Sequence, residues 1–417
     1  MLYERWKMIS AGRRHETALR DFASGRCWTF GELFIAGEKQ MIGPAGPAFP
    51  QGHSPEFIFQ LLAAWRKNRI VCPLEPGQMP PQISGAPENC IHFKTTSATT
   101  GGSRIVAFTA EQLAADAENI VATMGLRADW PNLGVISLAH SYGFSNLILP
   151  LLLHGISLIL APAPLPEIVR RAAETEKYLT LAAVPAMWRA WHEADAIPKN
   201  VRLAISAGAP LPLNLEMDIF EARGLKIHNF LGASECGGIA YDASVIPRTD
   251  VALAGTPLQN ANLSLNGNGC LVVRSRAVAE AYWPEKSDSL GGGIFQTSDL
   301  AEINNGEVFL RGRLGDLINI AGRKIFPETI ESALLANPNV RECLVFGAPS
   351  RDAERTEIIV AVVVSGVKEN ELKQFLLETL PAWQLPREWH FVDSLSTNAR
   401  GKISRAKWRA MFAGRQP

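Results

Sequence analysis

Val201-Arg202-Leu203-Ala204-Ile205-Ser206-Ala207-Gly208-Ala209-Pro210-Leu211 runs from an apolar stretch of strand length straight into a turn of small residues. Apolar runs of this size predict buried strands, and the Gly and Pro behind this one predict a loop at the strand's carboxyl end. Working outward, Val135–Ala139 reads as a second strand and Glu111–Met124 as a helix beside it. Phe144–Leu160 is the most apolar stretch, yet it carries Pro150, His154 and Gly155 and is short for a membrane span, so it reads as a buried helix followed by a strand. Strands alternating with helices put the amino-terminal part in the α/β class, as a large layered domain.

The pattern changes past Leu300. Asn304-Asn305-Gly306, between Leu300–Ile303 and Glu307–Leu310, predicts a hairpin, and Pro327-Glu328 opens a helix reaching Leu335. Strands over Glu342–Phe346 and Ile358–Val364 then precede a helix over Glu369–Thr379. These elements predict a small, mobile α+β domain over residues 315–417, joined to residues 1–314 through Arg311-Gly312-Arg313-Leu314-Gly315. A chain of 417 residues is longer than one core usually organises, which fits two domains.

Charge and cysteine content narrow the function classes. The 41 basic and 41 acidic residues cancel, so no net field draws the chain to nucleic acid or an anionic membrane. The six cysteines are scattered without a CxxC pair, which predicts reduced thiols and neither disulfide nor zinc. The charged start, MLYERWKMISAGRRHE, lacks the apolar core of a signal peptide, and a cytoplasmic location is expected.

Five segments carry chemistry. Thr95-Thr96-Ser97-Ala98-Thr99-Thr100-Gly101-Gly102-Ser103-Arg104 is rich in hydroxyls and closes on a cation, as a loop that wraps phosphate oxygens does; taken alone, an exposed Ser/Thr/Gly linker reads the same. Ser206–Leu211, Leu231-Gly232-Ala233-Ser234-Glu235, Thr297-Ser298-Asp299 and Asn398-Ala399-Arg400-Gly401-Lys402-Ile403-Ser404-Arg405 follow in that order. Each has an ordinary reading by itself, as a turn, a surface carboxylate or a basic tail. Together they resemble the signature series of the ANL superfamily of adenylating enzymes, which holds acyl- and aryl-CoA synthetases, nonribosomal peptide adenylation domains and luciferases.

The resemblance implies ATP and Mg²⁺ as cofactors and assigns roles. Thr96, Ser97, Thr99, Thr100, Gly101 and Arg104 would hold the ATP phosphates, with Ala98, Ser103 and Arg104 replacing the family's Gly, Pro and Lys. Gly208 and Ala209 would form a wall beside adenine and the acyl group. Within Leu231, Gly232, Ser234 and Glu235, the hydroxyl would bond a phosphate oxygen and Glu235 would ligate the metal; Leu231 stands where the family has an adenine-stacking aromatic, with Phe230 as a possible substitute. Asp299 would accept from the ribose hydroxyls, Arg313 would lie near ribose or phosphate, and Lys402 would be the catalytic lysine of adenylation.

His140-Ser141-Tyr142-Gly143-Phe144 resembles the His-x-x-Gly segment of acyl- and aryl-CoA synthetases. That puts His140, Tyr142, Gly143, Val184 and Pro185 around the acid; Trp188 and Trp191 are either neighbours of that pocket or core. No Asp stands between Leu138 and Leu149 to pair with a substrate ammonium, so an aryl or fatty acid is expected over an amino acid. Gly315 matches the family's hinge, and Gly322 with Arg323 matches its thiol tunnel, where Arg323 and Lys324 would meet a coenzyme A phosphate or an acidic acyl carrier protein. The implied activity is ATP-dependent formation of acyl-AMP and transfer to the thiol of coenzyme A or a phosphopantetheine carrier, by a monomer or homodimer. A non-thiol acceptor and a catalytically weak acyl-adenylate binder are the competing readings.

Overall fold

The computed structural model describes residues 1–43, 46–96, 104–350, 357–395 and 405–413. Its largest sheet has 14 strands among the described residues. From one side, the parallel strands lie in the order Thr17–Asp21, Leu158–Leu160, Asn132–Gly134, Leu179–Ala183, Val201–Ser206 and Ile227–Ala233. From Asn132–Gly134 the chain steps to one side, to Leu158–Leu160, then crosses back to the other, to Leu179–Ala183. Such a reversal leaves a crevice at the strands' carboxyl ends, where open α/β sheets hold ligands. The predicted pocket segments all leave these strands at that end.

Beyond Ile227–Ala233 the sheet becomes antiparallel, through Gly237–Tyr241, Leu253–Pro257, Glu307–Arg313, Ile294–Asn304, Cys270–Ser275 and Ala261–Leu265. A separate three-stranded sheet joins Cys90–Thr95, Ile105–Thr109 and Ala281–Trp283, and so flanks the phosphate-loop segment on both sides. The helix Ala110–Met124 begins in a capping box of Thr109 with Gln112 and ends at Gly125 with φ +63, which explains its sharp limits. Phe144–Ile148 is a π turn that continues as the helix Leu149–His154, buried through Leu153, and the strand Leu158–Leu160 follows. Among the described residues, no helix is long and apolar enough to cross a membrane.

One core of buried side chains extends from Leu2 to Val308. A second gathers Ile318, Ile325, Ile330, Leu334, Val345 and Leu376, behind a sheet of Val340–Pro349, Glu357–Ser365 and Glu388–Phe391. The expected hairpin, helices and late strands are all present within a few residues of their predicted limits. Val135–Ala139 differs: the strand is Asn132–Gly134, and residues 135–139 run irregularly. Val135, Ile136 and Leu138 are buried in the main core without strand pairing, so burial alone mimicked a strand.

Candidate active site

The base of the hydroxyl-rich loop is closed by its own ends. Thr96 N–H donates to Arg104 O at 2.8 Å, and Arg104 N–H donates to Thr96 Oγ1 at 3.2 Å. Ser97, Thr99, Thr100 and Gly101, with the departures Ala98 and Ser103, lie outside the described residues. The Arg104 guanidinium sits 5.0 Å over the Tyr282 ring, and Tyr282 Oη donates to Glu235 Oε1 at 3.0 Å. The loop's closing cation and the predicted metal carboxylate are thus joined through one phenol. Burial and the Glu235 charge both raise the Tyr282 pKa, so it remains a donor throughout the neutral range. Sequence reading missed Tyr282: it lies 47 residues from Glu235 in the chain, and only the pairing of Ala281–Trp283 with Ile105–Thr109 brings it in.

Glu235 occupies the turn between Ile227–Ala233 and Gly237–Tyr241, where Gly237 pairs with Ala233 and Gly238 with Gly232. Ser234 is beside it in the turn and Leu231 is half-buried. Phe230 points inward: its ring is 5% exposed, with its centre 6.0 Å from that of Tyr142. Its ring lies beneath Gly232 and Gly238, whose added Cβ atoms would meet it at 3.4 and 3.2 Å. Asp299 and Arg313 face each other across antiparallel strands, and Arg313 Nε donates to Asp299 Oδ1 at 2.9 Å. The Thr297 hydroxyl accepts from Asp299 N–H at 3.0 Å, which fixes the carboxylate's backbone.

At the crevice, His140 caps the short turn Ser141–Gly143, its Nδ1 accepting from Tyr142 N–H at 3.3 Å; the neutral ring then carries its proton on Nε2. Tyr142 Oη reaches the carbonyls of Ala183 and Ile205, at 3.4 and 3.5 Å, where two central strands end. Gly143 must be glycine, because a Cβ there would lie 2.0 Å from Ser137 O. Pro185 opens the helix Pro185–Glu193, Val184 precedes it, and Gly208 turns beside Val184 with φ +88, followed by Ala209. Trp188 and Trp191 are fully buried and packed edge to face, so they belong to the core.

In the carboxyl-terminal part, Gly315 lies exposed in the turn Leu314–Asp316, and a Cβ there would meet nothing within 4 Å. Gly322, with φ +85, turns the hairpin Ile318–Ile320/Arg323–Ile325, and Arg323 lies 5.4 Å over the Trp383 ring. Lys402 falls outside the described residues. Three residues later Arg405 opens the helix Arg405–Ala413, where its guanidinium meets Asp316 at 2.6 Å, Glu328 at 3.0 Å and Glu331 at 2.8 Å.

Two family models match the chain: AMP-binding enzyme over residues 80–283 and AMP-binding enzyme C-terminal domain over residues 329–402. The chain belongs to the AMP-binding enzymes of the ANL adenylating superfamily. A curated feruloyl-CoA synthase from Amycolatopsis is 29% identical over 394 residues, covering 86% of this chain and 78% of that protein. Among solved structures, ATP-bound MatB from Rhodopseudomonas palustris matches with a TM-score of 0.86 at 20% identity, over 99% of both chains. The o-succinylbenzoate CoA synthetase of Bacillus subtilis, in complex with its acyl-adenylate intermediate, matches with a TM-score of 0.82 at 20% identity, over 97% of both chains. At these identities the two structures establish the fold alone.

Proposed function

We propose that this AMP-binding enzyme is an acid–thiol ligase that converts an aryl or fatty acid to its acyl-AMP and then to the thioester of coenzyme A. In the first step the acid's oxygen attacks the α-phosphorus of ATP and pyrophosphate leaves; in the second the thiol sulfur attacks the acyl carbonyl and AMP leaves. The observation that supports the reading is the chain Arg104–Tyr282–Glu235, in which the cation proposed for phosphate and the carboxylate proposed for the metal share one phenol.

Among the described residues, no group of three or more His, Cys, Asp or Glu could hold a metal by itself. A single carboxylate fits Mg²⁺, which takes one or two protein carboxylates together with nucleotide phosphates. Glu235 would hold the ion, whose contribution is to neutralise phosphate charge. Arg104 binds phosphate, Asp299 accepts from the ribose hydroxyls, and Arg313 keeps that carboxylate oriented. His140, through its Nε2–H, orients the acid carboxylate against Tyr142 and the wall at Gly208 and Ala209. Lys402 stabilises the charge that builds at the α-phosphorus.

The domains divide at residues 314 and 315. Rotation at Gly315 withdraws Lys402 and brings the Gly322–Arg323 hairpin to the site for the thiol. Pyrophosphate exchange with a panel of aryl and aliphatic acids tests the first step; thioester detection with coenzyme A and with carrier protein tests the second. Exchange without any thioester would overturn the ligase assignment, and absence of exchange with every acid would favour the weak adenylate binder.

A further inference from the structure

Lys94 is a buried charge that the reaction does not use. It lies on the strand Cys90–Thr95, directly before the phosphate-loop segment, and is 5% exposed. Burying an ammonium is costly unless good partners offset it. Its hydrogen-bond partners here are hydroxyls: Nζ donates to Ser141 Oγ at 3.3 Å and to Ser145 Oγ at 3.4 Å, above the Phe108 ring at 4.5 Å. Ser145 Oγ donates onward to Asp116 Oδ2 at 2.6 Å, and Asp116 Oδ1 accepts from Gly238 N–H at 3.1 Å. The Asp116 carboxylate is so close to this turn that a Cβ on Gly237 would lie 1.9 Å from it.

We infer that Lys94 is a positioning residue: through Ser145 and Asp116 it sets the turn that carries Glu235, and through Ser141 it ties that turn to the segment holding His140 and Tyr142. The chain has a fixed direction. An ammonium only donates, so both serine oxygens accept from it, and the Ser145 proton goes to Asp116. Asp116 is 1% exposed and its charge is balanced by Lys94 across one hydroxyl, so each charge makes the other tolerable. Gly238 pairs with Gly232, which places the held amide three residues from Glu235 on the same hairpin. Phosphate strand, acid segment and metal carboxylate thereby share one buried support. The inference rests on the proposed role of Glu235 as the metal ligand.

The test uses the full chain and equilibrium dialysis of labelled ATP at varied Mg²⁺, with thermal melting of each variant as a control on folding. Lys94→Met, which keeps the length and removes the charge, is expected to raise the Mg²⁺ concentration needed for half-maximal ATP binding about tenfold, with ATP binding in the absence of Mg²⁺ changed less than about twofold. Lys94→Met combined with Asp116→Asn is expected to lose less than the product of the two single losses, because the pair is removed together. Ser145→Ala, which changes no charge, interrupts the chain and is expected to move the Mg²⁺ dependence in the same direction, a shift that loss of packing alone would not produce. Unchanged Mg²⁺ dependence in folded Lys94→Met and Ser145→Ala, or strictly multiplicative losses in the Lys94→Met/Asp116→Asn pair, would overturn the inference. Glu235→Ala separates the two claims: if it leaves the Mg²⁺ dependence unchanged, the metal-ligand role fails, whereas an effect of Glu235→Ala with none from Lys94→Met or Ser145→Ala defeats only the positioning role.

Discussion

Tyr282→Phe removes one hydroxyl and keeps the ring under Arg104, so it isolates the bond to Glu235. A hydrogen bond to a charged group is worth about 1.5–3 kcal/mol. Tyr282 is 6% exposed, but Glu235 is only half-buried and gains water when the phenol is lost, so the lower end, about 1.5 kcal/mol, applies. At about 1.4 kcal/mol per factor of ten, that is close to a tenfold rise in the Mg²⁺ concentration required for half-maximal pyrophosphate exchange. The Michaelis constant for the acid should stay within about twofold, because the phenol bonds the carboxylate proposed for the metal and not the residues proposed for the acid. Exchange is measured across a Mg²⁺ titration at saturating acid. A variant whose acid constant moves while its Mg²⁺ dependence stays fixed would show that the phenol serves the acyl side, and the reading of the Arg104–Tyr282–Glu235 chain would fail.

Other outcomes follow from the same structure. Lys402→Ala should lower acyl-AMP formation by about two to four powers of ten while sparing thioester formation from supplied acyl-AMP, and Gly315→Pro should do the reverse; equal damage to both half-reactions in both variants would refute alternation about Gly315. Glu216 is fully buried between Lys226 and Arg248, with Asp242 2.6 Å from Lys226, so Glu216→Gln should destabilise the fold by about 3–5 kcal/mol in urea denaturation, and a loss below about 1 kcal/mol would contradict the network. Tyr142, Tyr241 and Tyr282 are all raised above the ordinary 10.0, chiefly by burial. Above about pH 10 the unfolded chain sheds protons that the folded chain keeps, so stability should be undiminished by these groups below that point and fall beyond it; equal denaturation midpoints at about pH 9 and about pH 11 would exclude this.

The segments legible in the sequence were those whose chemistry is local. The turn with Glu235, the facing pair Asp299 and Arg313, and the Ala321-Gly322 hairpin each lie on one or two consecutive strands, so each stands in the sequence as a short motif, and the series of motifs together carries the resemblance. Val135–Ala139 was misread because an irregular buried segment is as apolar as a strand. The facing of Phe230 was not legible, because the side of Ile227–Ala233 that meets Tyr142 is set by tertiary packing. Tyr282 and Lys94 were invisible for a different reason. Their partners come from distant segments, and neither a tyrosine nor a lysine within a short apolar strand signals a functional contact until pairing supplies the neighbour.

Arg405 has a mechanical consequence. Its guanidinium is bound to Asp316, one residue beyond the proposed joint, and to Glu328 and Glu331 on the helix Pro327–Leu335. The exit of the proposed joint and the start of the helix Arg405–Ala413 are therefore bolted to one plate. A turn at the proposed joint would carry that helix with it, since any slack between the two would have to pull a guanidinium away from three carboxylates. Cutting the bolt should leave both parts folded yet out of step.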